Sequence, residues 1–391
     1  MSAWKSERIA SFCTTGTGGT PSRSSMERYY EGGTIPWVKS GELRETVITD
    51  TEEHVTEAAL RETNVKLVPA GTLLLAMYGA TVGRLGILGV PATTNQAVCH
   101  IIPDPKVAEV RYLFHALSNQ VANLVARGVG GAQPNISQGI VKELALPLPP
   151  LPEQRRIAEI LDKADALRAK RRAALTQLDT LTQSIFLDMF GDPSTNQKGT
   201  PTARLGDLCT RITDGTHQPP GWSEAGHPFL FVSNIVSGEI DFETNKFISD
   251  STHAELTRRC PIEVGDVLYS TVGSYGVPVV VRTPRKFAFQ RHIAHLKPNR
   301  ELLDPEFLRV MLASPPLKQQ ADRFARGVAQ KTINLSDIRE YVVFRPSLEE
   351  QRQLTHRIVM VEKMKTVLRA ALADLDALFA SLQHRAFQGE L

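Results

Sequence analysis

The sequence predicts an α+β protein. Two similar mixed α/β globules are joined by two long helices that pair as an antiparallel coiled coil, giving a pseudo-two-fold internal repeat. Three observations predict it. Two long runs carry apolar residues in one register, with Ile157, Ala164, Leu178 and Ile185 standing 197 positions before Leu354, Val361, Leu375 and Leu382. Related pentapeptides, Leu151-Pro152-Glu153-Gln154-Arg155 and Leu348-Glu349-Glu350-Gln351-Arg352, open the two runs. Ahead of each run, a series of strand-like landmarks repeats at an offset of about 195 residues. The chain of 391 residues then divides at 1–149, 150–191, 192–345 and 346–391.

Five landmarks trace each globule. An apolar opening element, Ile9 to Cys13 or Leu205 to Cys209, precedes a segment rich in Gly, Thr, Ser and Pro, Thr14 to Arg23 or Thr210 to Pro220, which reads as a mobile surface loop. Strand-like Pro36 to Leu43 matches Pro228 to Ile235. Gly71 to Gly79 and Gly265 to Gly273 each place an apolar run between glycines, as a buried strand entering a tight loop does. Asn95-Gln96 before Ala97 to Ile102 is matched with Phe289-Gln290 before Arg291 to Leu296. A short helix ends at Ala126-Arg127-Gly128-Val129, matched by Ala325-Arg326-Gly327-Val328, and Asn135 and Asn334 each follow their arginine by eight residues.

The signals change at the hinges. Leu146 to Pro152 carries four prolines and cannot continue a helix. From Glu153 to Met189 there is no Gly or Pro, and a helix of that length spans roughly 55 Å. The second hinge, Arg345-Pro346-Ser347, leads into an equivalent helix. A lone amphipathic helix of this length needs a partner in water. Ile157, Ile160, Leu167, Leu178, Leu181 and Ile185 are therefore expected to face Val361, Met364, Leu368, Leu375, Leu378 and Leu382.

Composition narrows the function. A net charge of +3 permits a nucleic-acid partner without demanding one. Cys13, Cys99, Cys209 and Cys260 form no CxxC pair, which speaks against a disulfide framework or zinc site and for a reducing cytoplasm. No apolar run approaches 18 residues, so no membrane insertion is expected. Gly16-Thr17-Gly18-Gly19 lacks the strand–helix frame of a phosphate cradle. His292 and His295 have no third ligand in a metal spacing. Gln218-Pro219-Pro220-Gly221-Trp222 departs from the amino-methyltransferase motif at its first residue and is not preceded by a cofactor loop. With no catalytic constellation and no metal site, the chain reads as a binding protein and not an enzyme.

The Leu-Pro-Glu-Gln-Arg-Arg-Ile hinge at 151–157, Ser184-Ile185-Phe186 running to Met189-Phe190-Gly191-Asp192, and the terminal Phe387-Gln388-Gly389-Glu390-Leu391 resemble the specificity subunit of type I restriction–modification systems. The resemblance spans essentially the whole chain. It implies a non-catalytic subunit with two target recognition domains, at 1–149 and 192–345. Such a subunit reads a bipartite asymmetric site in double-stranded DNA, beside two DNA-methyltransferase subunits and two restriction/translocation subunits. No cofactor is expected on this chain, because S-adenosylmethionine, ATP and Mg belong to those partners. A specificity subunit of a fused restriction–methylation system, or a coiled-coil protein-binding adaptor, are the alternatives.

Base readers should be polar side chains on loops, and phosphate anchors should be cations. In the first globule these are Arg23, Lys39, Ser40, Arg44, Tyr78, Thr81, Arg84, Arg127, Gln133 and Asn135. In the second they are Thr216, His217, Gln218, Asn234, Ser274, Tyr275, Arg291, His292, Arg326, Gln330, Lys331 and Asn334. Arg168-Ala169-Lys170-Arg171-Arg172 is the strongest basic cluster, either a solvated helix face or a contact for DNA phosphate or a partner subunit.

Overall fold

A computed structural model describes residues 4–44, 47–128, 135–193, 195–327 and 330–391. The chain forms two compact units, Met1–Arg172 with Ala370–Leu391, and Ala173–Arg369. Each long helix is thus shared between the units.

In the first unit the elements are β1 (Ser6–Arg8), α1 (Ile9–Phe12), β2 (Cys13–Thr17), α2 (Met26–Tyr29), β3 (Ile35–Val38), β4 (Val47–Ile48), β5 (His54–Val55), α3 (Glu57–Glu62), β6 (Leu73–Ala76), β7 (Leu85–Leu88), β8 (Thr93–Thr94), β9 (Val98–Pro103), α4 (Val110–Ala126), α5 (Gln138–Glu143) and β10 (Ala145–Pro147), followed by the start of α6 (Leu151–Phe190). A five-stranded sheet, β2-β9-β6-β7-β4, lies beside a three-stranded one, β5-β3-β8, and a β1-β10 pair.

The second unit repeats this with β11 (Thr202–Arg204), α7 (Leu205–Leu208), β12 (Cys209–Asp214), β13 (His227–Leu230), β14 (Phe247–Ile248), α8 (Asp250–Thr257), β15 (Val267–Ser270), β16 (Pro278–Val280), β17 (Ala288–Phe289), β18 (Ile293–Pro298), α9 (Pro305–Leu312), α10 (Pro315–Phe324), α11 (Leu335–Arg339), β19 (Val342–Phe344) and α12 (Leu348–Gln388). Its sheets run β12-β18-β15-β16, β14-β13-β17 and β11-β19. Ser314 precedes two prolines that lack amide donors, so the single α4 of the first unit has two shorter helices as its counterpart.

Three details differ from the sequence reading. The supposed mobile loops begin as strands, β2 and β12, because their threonines pair with β9 and β18. Gly18 and Gly215 belong to these strand ends, where an added Cβ would lie 1.9 Å from the Thr94 carbonyl oxygen and 2.0 Å from that of Phe289. Close backbone approach, not phosphate binding, requires glycine there. The landmark at Asn95 also shifts by one. Thr93–Thr94 pairs with β3 as Ala288–Phe289 pairs with β13, which makes Asn95 the counterpart of Gln290.

Each unit builds its core partly from the long helices. In the first, Ile157, Ala158 and Leu161 of α6 and Ala386 and Phe387 of α12 join Tyr112, Leu113 and Leu117 of α4. In the second, Phe186 and Phe190 of α6 and Leu354 and Ile358 of α12 pack with Phe307 and Phe344.

The helix stripe is corrected at four positions. Leu167, Leu181, Met364 and Leu378 are 53%, 39%, 54% and 51% exposed. Burial instead follows 154, 157, 161, 164, 168 and 171 in α6, and 351, 354, 358, 361, 365 and 368 in α12. Steps of three and four make this a heptad seam. Arg168, Thr182, Lys365 and Phe379 occupy the positions immediately after the four exposed residues, and all four are buried or half-buried. The apolar side chain chosen from sequence was thus one residue early each time. Ile160 is half-buried beside fully buried Leu161.

Within the first unit, Arg168 pairs with Asp376 at 2.6 Å and Asp165 at 2.8 Å, and its guanidinium lies 4.2 Å from the Phe379 ring centre. Within the second, Lys365 pairs with Asp179 at 3.1 Å and Glu362 at 3.2 Å. Arg168, Asp376 and Asp165 each stand 197 positions from their counterparts Lys365, Asp179 and Glu362. The expected basic cluster is therefore partly committed to the helix pair, since Arg172 also reaches Asp376 at 3.0 Å.

Candidate nucleic-acid interface

In the first unit the loop from β6 to β7 carries Tyr78, Thr81 and Arg84, turned by Gly79 (φ +80°) and Gly83 (φ +84°). Tyr78 and Thr81 are half-buried and Arg84 is exposed. The Ile136 amide donates to the Met77 carbonyl at 2.7 Å, which brings exposed Asn135 against this loop. Arg127 follows α4 and donates to Asn123 at 3.0 Å. Gln133 lies outside the described residues.

The other candidates of this unit form a separate cluster. Arg23 sits 2.6 Å from Glu53, with its guanidinium 4.4 Å from the Tyr30 ring centre, and Lys39 reaches Glu53 at 2.9 Å and Glu52 at 3.1 Å. The hydrogen bond from Arg23, helped by Lys39, pulls the Glu53 carboxyl down to about 2. Both cations thus neutralise a local carboxylate. Ser40 is half-buried in the adjoining 3-10 turn. Exposed Arg44 opens on a cavity of about 450 Å³ shared with Glu42, Asp50 and Glu52, an acidic wall that offers acceptors more than phosphate anchors.

The second unit gathers its candidates more tightly. His217, Arg291, His292, Gln330 and Asn334 line one open cavity of about 460 Å³. Hydrogen bonds from the Ile333 amide to the Thr271 carbonyl and from the Gly273 amide to the Lys331 carbonyl, at 2.9 and 3.1 Å, draw the 330–334 segment to the end of β15. His217 Nε2 is 2.9 Å from Asp214, and Arg291 Nε donates to His292 Nε2 at 3.3 Å. Burial, then the charges of Arg291 and His217, lower the His292 pKa, keeping it an uncharged donor–acceptor. The guanidinium, amides and imidazoles match base edges and phosphate oxygens. Asp214, Thr271 and Thr332 also line this wall and carry no signal in the sequence, Asp214 because its strand has the composition of a loop.

The remaining candidates scatter. Asn234 is 7% exposed, accepts from the Phe231 amide at 2.9 Å and donates to the Glu243 carbonyl at 3.0 Å. Its amide is consumed holding a turn, which corrects its assignment as a reader. The Tyr275 hydroxyl donates to Asp322 at 2.7 Å, and Lys318 Nζ lies 3.7 Å from its ring centre. The Thr216 hydroxyl donates to the Gln218 carbonyl at 2.8 Å. Arg326 lies 3.5 Å from Asp337. Gln218, Ser274 and Lys331 are exposed. Asn135 and Asn334 are not counterparts, because Ile136 and Ile333 occupy the matched place, and Asn334 precedes α11 where Ser137 precedes and caps α5.

Among the described residues no group of three or more His, Cys, Asp or Glu is arranged to hold a metal ion. No described helix is long and apolar enough to cross a membrane.

The fold is a duplicated α/β framework in which each copy is followed by a long helix. The chain is similar in sequence to type I restriction–modification DNA specificity subunits. Residues 1–177 match the family model described as the type I restriction modification DNA specificity domain. The chain is 26% identical over 334 residues to the type I restriction enzyme EcoBI specificity subunit of Escherichia coli, covering 77% of this chain and 70% of the relative. It is 25% identical over 367 residues to the MjaIX specificity subunit of Methanocaldococcus jannaschii, covering 88% and 83%. In fold it is similar to a type I restriction–modification S subunit from M. genitalium, at TM-score 0.58 and 15% identity over 98% of this chain and 96% of that one. A second structure, from work on complex assembly and conformational transition of the type I system, gives TM-score 0.61 at 20% identity, covering 99% and 98%.

Proposed function

We propose that this subunit reads a bipartite, asymmetric site in double-stranded DNA, one half-site per unit, and directs adenine methylation or restriction by its partners. The polar cavity of His217, Arg291, His292, Gln330 and Asn334 carries this reading, because it groups base-edge donors and acceptors on one surface. The partners are two DNA-methyltransferase subunits, which bind S-adenosylmethionine, and two restriction/translocation subunits, which bind ATP and Mg. This chain contributes recognition and no catalysis or cofactor, and it works in the cytoplasm. Exposed Met360, Met364 and Val367 on α12, at 52%, 54% and 67%, form an apolar stripe suited to a partner helix.

The test replaces residues 1–149 by the same region of a relative and maps modified adenines in host DNA. One half-site should change and the other persist, whereas simultaneous change of both would refute the assignment. Binding of the assembled methyltransferase should also weaken linearly on log–log salt plots, through counterion release.

A further inference from the structure

The second unit holds a side-chain cluster that DNA reading does not use. His295 on β18 is 1% exposed, and its Nε2 lies 2.7 Å from Asp266 Oδ2. Its other ring nitrogen, Nδ1, is 3.4 Å from Cys260 Sγ. The Glu263 amide and Lys297 Nζ each donate to the same Asp266 oxygen at 2.8 Å, fixing the carboxylate behind the imidazole. Lys297 is shared with Glu263 at 2.9 Å. Burial works against charge on His295, but hydrogen bonds with Asp266 and Cys260 prevail and hold its pKa above the ordinary value.

Half-buried Cys260 opens on a cavity of about 400 Å³. Arg211, Arg258 and Arg259 line it, against Glu255 and an Asp214 already paired with His217. The uncompensated charge is positive.

The first unit provides an internal contrast. His100 faces Leu74 as His295 faces Leu268, yet Thr72 and Lys66 stand where Asp266 and Cys260 stand, 194 positions on. His100 Nδ1 has no partner, and burial followed by the Lys66 charge lowers its pKa. The Cys–His–Asp arrangement therefore belongs to the second unit and not to the repeat.

We propose that Cys260 is a nucleophilic thiol, activated by His295 and positioned through Asp266, that forms a mixed disulfide with a small anionic disulfide entering this arginine-lined cavity. The Cys260 proton passes to His295 Nδ1. The thiolate attacks one sulfur of the incoming disulfide, a new S–S bond forms, and the old one breaks. The departing thiolate leaves with the electron pair, so Cys260 is oxidised as the leaving half is reduced. Burial pushes the thiols of Cys13, Cys99 and Cys209 up to about 12, which makes them slow internal references.

The experiment treats the full chain with 5,5′-dithiobis(2-nitrobenzoate) under native conditions and locates the label by peptide mass spectrometry. One equivalent should react at Cys260 at least about tenfold faster than free glutathione at the same pH. That equivalent should vanish in Cys260→Ser and slow about tenfold in His295→Asn. Reaction of Cys260 no faster than the free thiol would overturn the proposal, as would an unchanged rate in His295→Asn. Should Cys13, Cys99 and Cys209 become reactive in that variant, reporting lost packing, the wild-type protein decides. An anionic disulfide must then outpace the neutral 4,4′-dithiodipyridine, relative to their rates with glutathione, and equal relative rates would refute the cavity's role.

Discussion

At the scale of single residues, the hinge glutamines show what a recurring motif does. Gln154 is fully buried, and its Oε1 accepts from the Glu109 amide at 2.8 Å. Its Nε2 donates to the Val107 and Pro149 carbonyls at 2.9 and 2.8 Å. Gln351 repeats the set with the Asp304 amide at 2.8 Å and the Leu302 and Pro346 carbonyls at 2.9 Å. Each side chain ties the start of a long helix to the loop before the globule's own helix. Gln154→Leu and Gln351→Leu should each cost about 2–4 kcal/mol, because buried backbone groups lose their partners. Urea unfolding checks this, and a cost below about 1 kcal/mol would refute the anchoring role. The motif was visible in sequence, but its bonds were not, because all three partners lie outside the pentapeptide.

Asp162 provides a pH test. Partial burial would raise its carboxyl, but hydrogen bonds from His115, at 2.7 Å, and from Arg111 bring it down to about 2. A depressed carboxylate stabilises the fold above its unfolded pKa of ~3.9, and this contribution fades as pH falls through the folded value near 2. Asp162→Asn should therefore cost about 1–2 kcal/mol at neutral pH, after discounting for solvent screening at a site one-third exposed. The gap from wild type should narrow between about pH 4 and pH 2, and a gap constant across that range would remove the argument.

At the scale of elements, the long helices show why a polar seam is hard to read. Apolar periodicity points to Leu167 and Met364, whereas the buried or half-buried positions belong to the polar neighbours Arg168 and Lys365. Lys365 is nevertheless only 6% exposed, its ammonium held by Asp179 and Glu362. A buried cation in a coiled-coil seam discriminates between registers, because a slipped register takes it away from its carboxylates. Arg168→Asp should lower the unfolding temperature, and adding Asp376→Arg should restore most of it. Thermal unfolding of the two single variants and the double supplies the cycle. Strict additivity would show that the pair does not lock the helices.

At the scale of the whole molecule, the repeat makes half of the chain testable. A fragment ending near Asp192 keeps one globule and one long helix carrying both Arg168 and Asp179. Asp179 stands 197 positions before Asp376, the partner of Arg168, so a second copy offers the same acidic group in the same register. The fragment should dimerise and, on the proposed function, direct a methyltransferase subunit to an interrupted palindrome of the first half-site. A monomer by ultracentrifugation, or methylation of the original asymmetric site, would each overturn this.

The sequence alone determined the duplication, the two long helices and the strand landmarks, because these rest on local periodicity and on glycine and proline signals that act within a few residues. Tertiary structure decided the rest. It decided which polar side chains face solvent and which hold turns, so that His217 and Arg291 share a cavity wall whereas Asn234 closes a loop. It moved the seam by one residue, onto Arg168 and Lys365, because burial is settled by the facing helix and its carboxylates. It joined Cys260 to His295 across 35 residues of chain. Such pairings are set by long-range strand register, which a one-residue slip reverses and which no single segment encodes by itself.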